Sequence, residues 1–361
     1  MFRRRTVLAL MLGGVVPAFI LINALVSAAR GHREAIAIDW AQRGDADLAA
    51  GRAAESADDY RTADEYAGSR GAYRLQLATA LVAADRPVEA EAQLQTLWNQ
   101  TPGDGVINLQ LARIAVRQQR VADAVRYYHA AIDGAWTADP VAARRNTRLE
   151  LARFLLARGE RAQAQVELVA LSTDPPPSSA AMTDIAALMV DAGADNRALL
   201  LLESALRLDP ANARAAALAG TIAARLGSYS DARAYLERAR RAGSLDADGA
   251  ALLDMATRVL ELDPDARGLP SRERLRRTVR AYDIAAAALD RCAADILAPL
   301  RDERARLARL VNERTLARDP DTVDQTLAFA ATAIAAVRAA CGDGDASERA
   351  LTLAFQRRPQ T

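Results

Sequence analysis

The feature that most constrains this 361-residue chain is a period. From Ala37 onward, small and large apolar residues return every 34 positions, and a fixed period of that length marks an architecture built by repeating one supersecondary unit. The units begin at Ala37 and continue to Asp246, with six extra residues, 139–144, between the third and the fourth. The eighth position of each unit is small (Gly44, Ala78, Ala112, Ala152, Ala186, Gly220), and the twentieth is Ala or Ser (Ser56, Ala90, Ala124, Ala164, Ala198, Ala232). The twenty-fourth is large: Tyr60, Leu94, Tyr128, Leu168, Leu202, Leu236. Small side chains at the first two positions let two helix axes approach closely, and the large one fills the gap to the next unit. Gly51, Gly159, Gly193 and Gly227 stand where a first helix must end, and Asp209-Pro210 and Asp263-Pro264 close second helices or their equivalents. Ala dominates the apolar residues and aromatics make up only 4%, which favours helices over strands.

At Trp40, Gly44, Gly51, Tyr60 and Ala63, and at their counterparts in the five later units, the chain resembles the tetratricopeptide repeat family. The resemblance spans residues 37–246. It departs from the family pattern in three places: only the first unit has the early Trp, Ser56 replaces Ala, and Trp136 stands where Pro often ends a unit. The resemblance implies an all-α, right-handed solenoid of about six helix pairs, since one pair cannot bury its apolar face alone. It also implies a groove lined by the first helices that takes a protein or peptide partner. Arg113, Arg117, Arg153 and Arg225 are expected on that face, with Asn108 and Asn146 nearby, as bidentate donors to an acidic or C-terminal carboxylate. The alternative is ordinary solvated arginine in a chain whose 47 basic residues are all Arg; the family's clamp of Lys and Asn is not reproduced. Tyr127, Tyr128, His129 and Trp136 form an aromatic cluster before the insertion, read as core packing or as a local binding surface.

Residues 6–29 carry no charge. As a helix they rise roughly 36 Å, enough to cross a hydrocarbon layer of about 30 Å. A basic tail, 1–5, with Arg3, Arg4 and Arg5, precedes them, and Arg30 and Arg33 follow. The richer N-terminal side predicts a cytoplasmic N-terminus and a repeat domain on the outer, periplasmic or extracytoplasmic face. The rival is an exported soluble chain, cleaved near Val26-Ser27-Ala28.

After the repeats, residues 250–262 read as a capping helix that completes a solenoid over 37–262, and 263–270 as a linker to a C-terminal module, 271–361. Leu275, Val279, Tyr282, Ala286, Leu289, Ala293, Ile296 and Leu300 alternate steps of four and three, continued by Leu307 and Leu310, with Pro299 as a break or kink. Asp319-Pro320 starts another helix, striped by Val323, Leu327, Ala330, Ile334, Val337 and Cys341. These two stripes predict an antiparallel hairpin turning near Arg318, or a short bundle if the first helix splits; a homodimeric coiled coil is the rival. In the hairpin, Cys341 falls about one turn from Cys292, so the two can pair in an oxidising compartment.

With two His, two Cys and no Lys, the chain lacks material for a His-rich metal site, a Ser-His-Asp centre or a Schiff base, and its net charge of +1 gives no reason to expect nucleic acid. The expectation is therefore a non-enzymatic, membrane-tethered interaction scaffold without cofactors, assembling or regulating an envelope complex. The alternatives are a homo-oligomer joined by the heptad helix, and an enzyme with its site in 271–361.

Overall fold

The computed structural model describes residues 2–68 and 71–356, with side chains from Ala18 onward. All named elements among them are helices, and they form two compact units, Met1–Leu155 and Leu156–Thr361. The first repeat pairs the tail of α1 (Phe2–Ala49) with α2 (Ala53–Ala67). The next two are α3 (Arg74–Ala83) with α4 (Pro87–Trp98), and α5 (Gly105–Arg117) with α6 (Val121–Asp133). α7 (Pro140–Ala157) and α8 (Arg161–Thr173) follow in chain order, and the later pairs are α9 (Ser179–Asp191) with α10 (Asp195–Leu208), and α11 (Ala213–Arg225) with α12 (Tyr229–Arg241). The second helices start at 53, 87, 121, 161, 195 and 229, so the period is kept except for the six inserted residues, which lengthen the start of α7.

The repeated positions do the packing their sizes suggest. All six residues at the twentieth position are fully buried, and those at the twenty-fourth are at most 2% exposed. The eighth faces the twenty-fourth: a Cβ added to Gly220 would lie 2.5 Å from Leu236 Cγ, and one added to Gly44 would meet the Tyr60 ring at 3.1 Å. Each first helix ends at a left-handed residue. Four are the expected glycines; in the second and third repeats Asp85 (φ 57°) and Gln119 (φ 59°) take the same conformation. In the turns at Gly51, Asp85, Gln119, Gly193 and Gly227 the next amide closes the turn in the same way, for example Arg120 N–H on the Ala115 carbonyl at 2.9 Å. The first helices α5, α9 and α11 begin at caps placed at unit ends: Asp104, Ser178 and Asn212 accept backbone N–H groups of the following turn.

Among the described residues no helix is long and apolar enough to cross a membrane. The expected span, 6–29, lies outside the described side chains over 6–17.

The C-terminal region departs from the expected layout. α13 (Ala247–Leu262) starts 34 residues after α11, as a seventh first helix would, and Asp246 caps it. One hydrophobic core then runs from Ala223 and Tyr229 through Val259 and Leu262 into Leu289, Leu327 and Leu351. Residues 263–270 thus join packed helices and do not separate two domains; Arg277 reaches back to the carbonyls of Leu260 and Asp263 at 2.7 and 3.0 Å.

The long heptad helix does not form. α14 (Ser271–Arg291) stops where Cys292 turns extended (φ −108°, ψ 111°), and Ile296, assigned to the seam, is 80% exposed. A 3-10 turn (Asp295–Leu297) leads into α15 (Ala298–Leu307), which Pro299 begins rather than kinks, and then α16 (Glu313–Leu316). These elements run back along α14: Arg301 bonds the Cys292 carbonyl at 2.5 Å, the Tyr282 hydroxyl bonds the Arg304 carbonyl at 3.0 Å, and Arg276 meets Glu313 at 3.6 Å. α17 (Pro320–Cys341) then runs parallel to α14. Arg274 and Asp324 are 3.7 Å apart at the N-terminal ends, the Tyr282 and Phe329 rings are 5.6 Å apart in the middle, and Cys292 and Cys341 are joined by a disulfide at the C-terminal ends. α18 (Ala346–Gln356) completes a split-helix bundle in place of the antiparallel hairpin. The seam residues Tyr282 and Leu289 are buried within this one chain, which leaves the coiled-coil reading without its interface.

Candidate functional site

Five of the six expected groove residues lie in the first compact unit, and Arg225 lies in the second. Asn108 is removed from the set. It is fully buried, donates to the carbonyls of Pro102 and Asp104 at 2.8 Å each, and accepts from Trp98 Nε1 at 3.2 Å. It is a staple between the second and third repeats, because a buried amide must satisfy its own donors and acceptor.

Arg113 on α5 forms a two-pronged bridge to Glu150 on α7, Nε to Oε1 at 2.9 Å and a terminal nitrogen to Oε2 at 2.8 Å. The Tyr128 hydroxyl donates to the same carboxylate at 2.9 Å. Burial works to raise the Glu150 carboxyl, but the hydrogen bonds from Arg113 and Tyr128, with the charges of Arg113 and Arg153, outweigh it and hold the group below the ordinary glutamate value. Burial, then the Glu150 charge, pushes the Tyr128 phenol up, so it stays a donor. Arg117 donates to the Val82 carbonyl at 2.8 Å, at the C-terminal end of α3, where a cation also complements the helix dipole. In the second unit Arg225 pairs with Asp195, the first residue of α10, at 2.8 Å.

Asn146 and Arg153 are exposed on α7 and make no hydrogen bond or ion pair among the described residues. Together α5 and α7, within the first unit, carry Arg113, Arg117, Arg144, Arg145, Arg148 and Arg153 against a single acid, Glu150. Arg117 and Arg144 donate to backbone carbonyls, and Arg145 and Arg148 have partners of their own, which leaves Arg113 and Arg153 as the cations about Glu150. The arrangement offers Arg153 as an open donor beside an arginine already oriented by its bridge. A partner carboxylate can engage the first directly and the second by sharing it with Glu150.

Glu150 was not singled out in the sequence, and Tyr128 was named there for packing and for the aromatic cluster, not as a partner of Glu150. The signal was present for Tyr128, which occupies the twenty-fourth position that reaches toward the next unit. Trp136 seats on Gly105, where an added Cβ would lie 2.4 Å from the indole, and donates to the Ala131 carbonyl at 2.9 Å, so part of the aromatic cluster is structural. In the second unit, a cleft of about 530 Å³ opens beside Arg225, walled by Leu226, Tyr229, Leu252, Met255 and Leu353. Among the described residues no three His, Cys, Asp or Glu side chains gather as metal ligands would.

A 34-residue pitch, two helices per pitch, small-on-large packing between them and a left-handed break at each first turn decide the fold. The helix pairs have the layout of tetratricopeptide repeats. No family model matches the chain, and no curated protein does. Solved structures with tetratricopeptide repeats share its helical layout at low identity. The C-terminal part of a repeat-containing protein from Cytophaga hutchinsonii is 11% identical, with 86% of this chain and 98% of that one covered and a TM-score of 0.44. PilW, described as a type IV pilus biogenesis factor, is 16% identical over 60% of this chain and 98% of its own, with a TM-score of 0.39. YrrB, described as a protein with an unusual peptide-binding site, is 16% identical over 50% of this chain and 89% of its own, with a TM-score of 0.35.

Proposed function

We propose that this tetratricopeptide chain is a non-catalytic scaffold, held at the outer face of a membrane by α1, that grips an acidic segment of a protein partner on the α5–α7 face. The observation that carries the binding reading is the pair of arginines about Glu150: Arg153, exposed and unpaired among the described residues, and Arg113, pre-oriented by its two-pronged bridge. The tether rests on α1. Phe19, Ile20, Leu21 and Ile22, four consecutive residues that cover every side of a helix, are 61–67% exposed, and residues 18–35 contact nothing that would shield them. A helix apolar all round is stable when lipid surrounds it. The basic residues 3–5 orient its start toward the cytoplasm, and the Cys292–Cys341 disulfide suits an oxidising compartment beyond the membrane.

Two measurements test this reading. Protease added to sealed spheroplasts should digest the repeats of the full chain, and alkaline carbonate should leave the chain in the membrane fraction; protection or extraction contradicts the tether. Capture of the native partner should be lost on Arg153→Glu and weakened by raised salt, because exposed charge pairs are screened. Capture indifferent to both contradicts the basic face as the binding surface.

A further inference from the structure

The first repeat has no spacer between it and the helix that carries it. α1 is one continuous helix from Phe2 to Ala49, with no proline after Pro17. Residues 18–35 are exposed on every side, and Ala37 is the first side chain the repeat encloses. Only residues 30–36 separate the uncharged stretch ending at Ala29 from the packed repeat, a rise of about 10 Å.

α2 runs back along α1 toward that stretch. Contacts across the pair fix the register: Arg52 Nε donates to Asp47 at 3.1 Å, and Ser56 Oγ to the Gly44 carbonyl at 2.8 Å. Continued in that register, the last turn of α2 brings Tyr66 to the level of Glu34, roughly 8 Å beyond Ala29. The turn into α3 closes there, where Arg74 meets Asp64 at 3.0 Å. The headgroup layer on each side of a bilayer is roughly 5–7 Å deep, so this turn comes to its outer edge. The opposite turn, at Ala50, stands about 30 Å beyond Ala29.

The chemistry at that depth is ordered. Arg30 and Arg33, one turn apart on α1, are exposed and have no partner among the described residues. Glu34 and Glu65 are exposed slightly farther out, and Tyr66 is 42% exposed beside them. Arginines inward and carboxylates outward match a zwitterionic headgroup, whose phosphate lies nearer the hydrocarbon than its amine. Tyrosine suits the same layer, with an apolar ring and a polar tip. We infer that the first repeat lies directly on the membrane: residues 30–34 of α1, the end of α2 and the turn into α3 form a contact surface for phosphatidylethanolamine-type headgroups. This inference rests on the tether proposed above and not on the α5–α7 face.

The test places a nitroxide on one added cysteine at a time in the full chain, in vesicles of phosphatidylethanolamine and phosphatidylglycerol, without reducing Cys292–Cys341. Ile22→Cys reads the tether and should collide with oxygen, which gathers in lipid. Ala50→Cys should collide with a nickel chelate, which stays in water. Tyr66→Cys should be shielded from the chelate at headgroup depth, and Ala72→Cys, exposed in the same turn, serves if Tyr66→Cys fails to fold. Seven alanines inserted after Glu34 keep the helix phase to within about 20° and lift the repeat about 10 Å, and should open either label to the chelate as fully as Ala50→Cys. Phosphatidylethanolamine retained by the chain in detergent, read by native mass spectrometry, should fall about tenfold or more on Arg30→Ala with Arg33→Ala. Ile22→Cys in water overturns the tether and this inference together. Ile22→Cys in lipid, with Tyr66→Cys and Ala72→Cys as open to the chelate as Ala50→Cys, overturns this inference and leaves the tether standing. Shielding that vanishes when the chain is diluted in lipid overturns it by assigning the surface to a second copy, and unchanged lipid retention overturns the headgroup as the ligand.

Discussion

The repeats and the terminal bundle are built from the same helices but held together differently. In the repeats, ties reach only one helix pair along: Gln95 to Tyr127 at 2.9 Å, Arg113 to Glu150, Asn212 to Ser179 at 2.7 Å, Arg238 to the Pro210 carbonyl at 2.9 Å. In α14–α18 the chain crosses back along α14 before α17 returns parallel to it, and the bonded cysteines are 49 residues apart. The repeats distribute their stability over many near neighbours, as one-dimensional stacks do. The bundle concentrates it in one long closure.

Breaking that closure should have the largest effect. Cys341 is exposed, so Cys341→Ser buries no new polar group; loop entropy alone predicts a loss of about 4 kcal/mol for a loop of this length. Urea unfolding followed by near-UV signal from Tyr282 checks it, and reduction of the unaltered chain should reproduce the shift. An unchanged midpoint would mean the bundle, like the repeats, does not lean on a single link. Next in size is an injury to the repeats themselves. Gly220→Val drives a side chain into Leu236 and should cost about 2 kcal/mol, read in the thermal midpoint, while the same change at exposed Gly31, where nothing lies within 4 Å, should cost less. A smaller and opposite effect is expected at Gln119. Glycine there relieves a left-handed strain and should stabilise by about 1 kcal/mol, and Asp85→Gly by less, since Asp tolerates that conformation better.

The smallest effect is a pH dependence confined to the Arg113–Glu150 tie. The folded carboxyl lies below its unfolded value, so its contribution is fully present above the unfolded glutamate pKa of about 4.3 and is lost as pH falls through the lower folded value. Glu150→Gln should therefore lower the urea midpoint at pH 7, and the gap to the unaltered chain should close in acid. A gap independent of pH would assign the loss to packing rather than charge.

The same contrast explains what the sequence made legible. A period reports nearest-neighbour packing, so the four first-helix ends at glycine, the small buried twentieth positions and the α17 cap at Asp319 followed from residue spacing. Left-handed Asp85 and Gln119 did not, because only glycine advertises that conformation by its identity. Asn108 looked like a groove residue by its place on a first helix, but its burial depends on the Trp98 indole and the 102–104 turn. The heptad pattern across 275–310 failed for a related reason. Spacing cannot reveal that Cys292 turns extended, and the residues after it continue the phase on a different helix running the other way. The pairing of Cys292 with Cys341 was expected from an antiparallel hairpin; the structure brings the two together through parallel helices.

The account stands on α5 and α7 presenting a binding face. A photo-activated cross-linker placed at Asn146, exposed beside Arg153, in the full chain within native membranes tests this most directly. The account predicts one discrete adduct, identified by mass spectrometry through an acidic peptide, that disappears when Arg153→Glu is added. No adduct, or one untouched by Arg153→Glu, would contradict it.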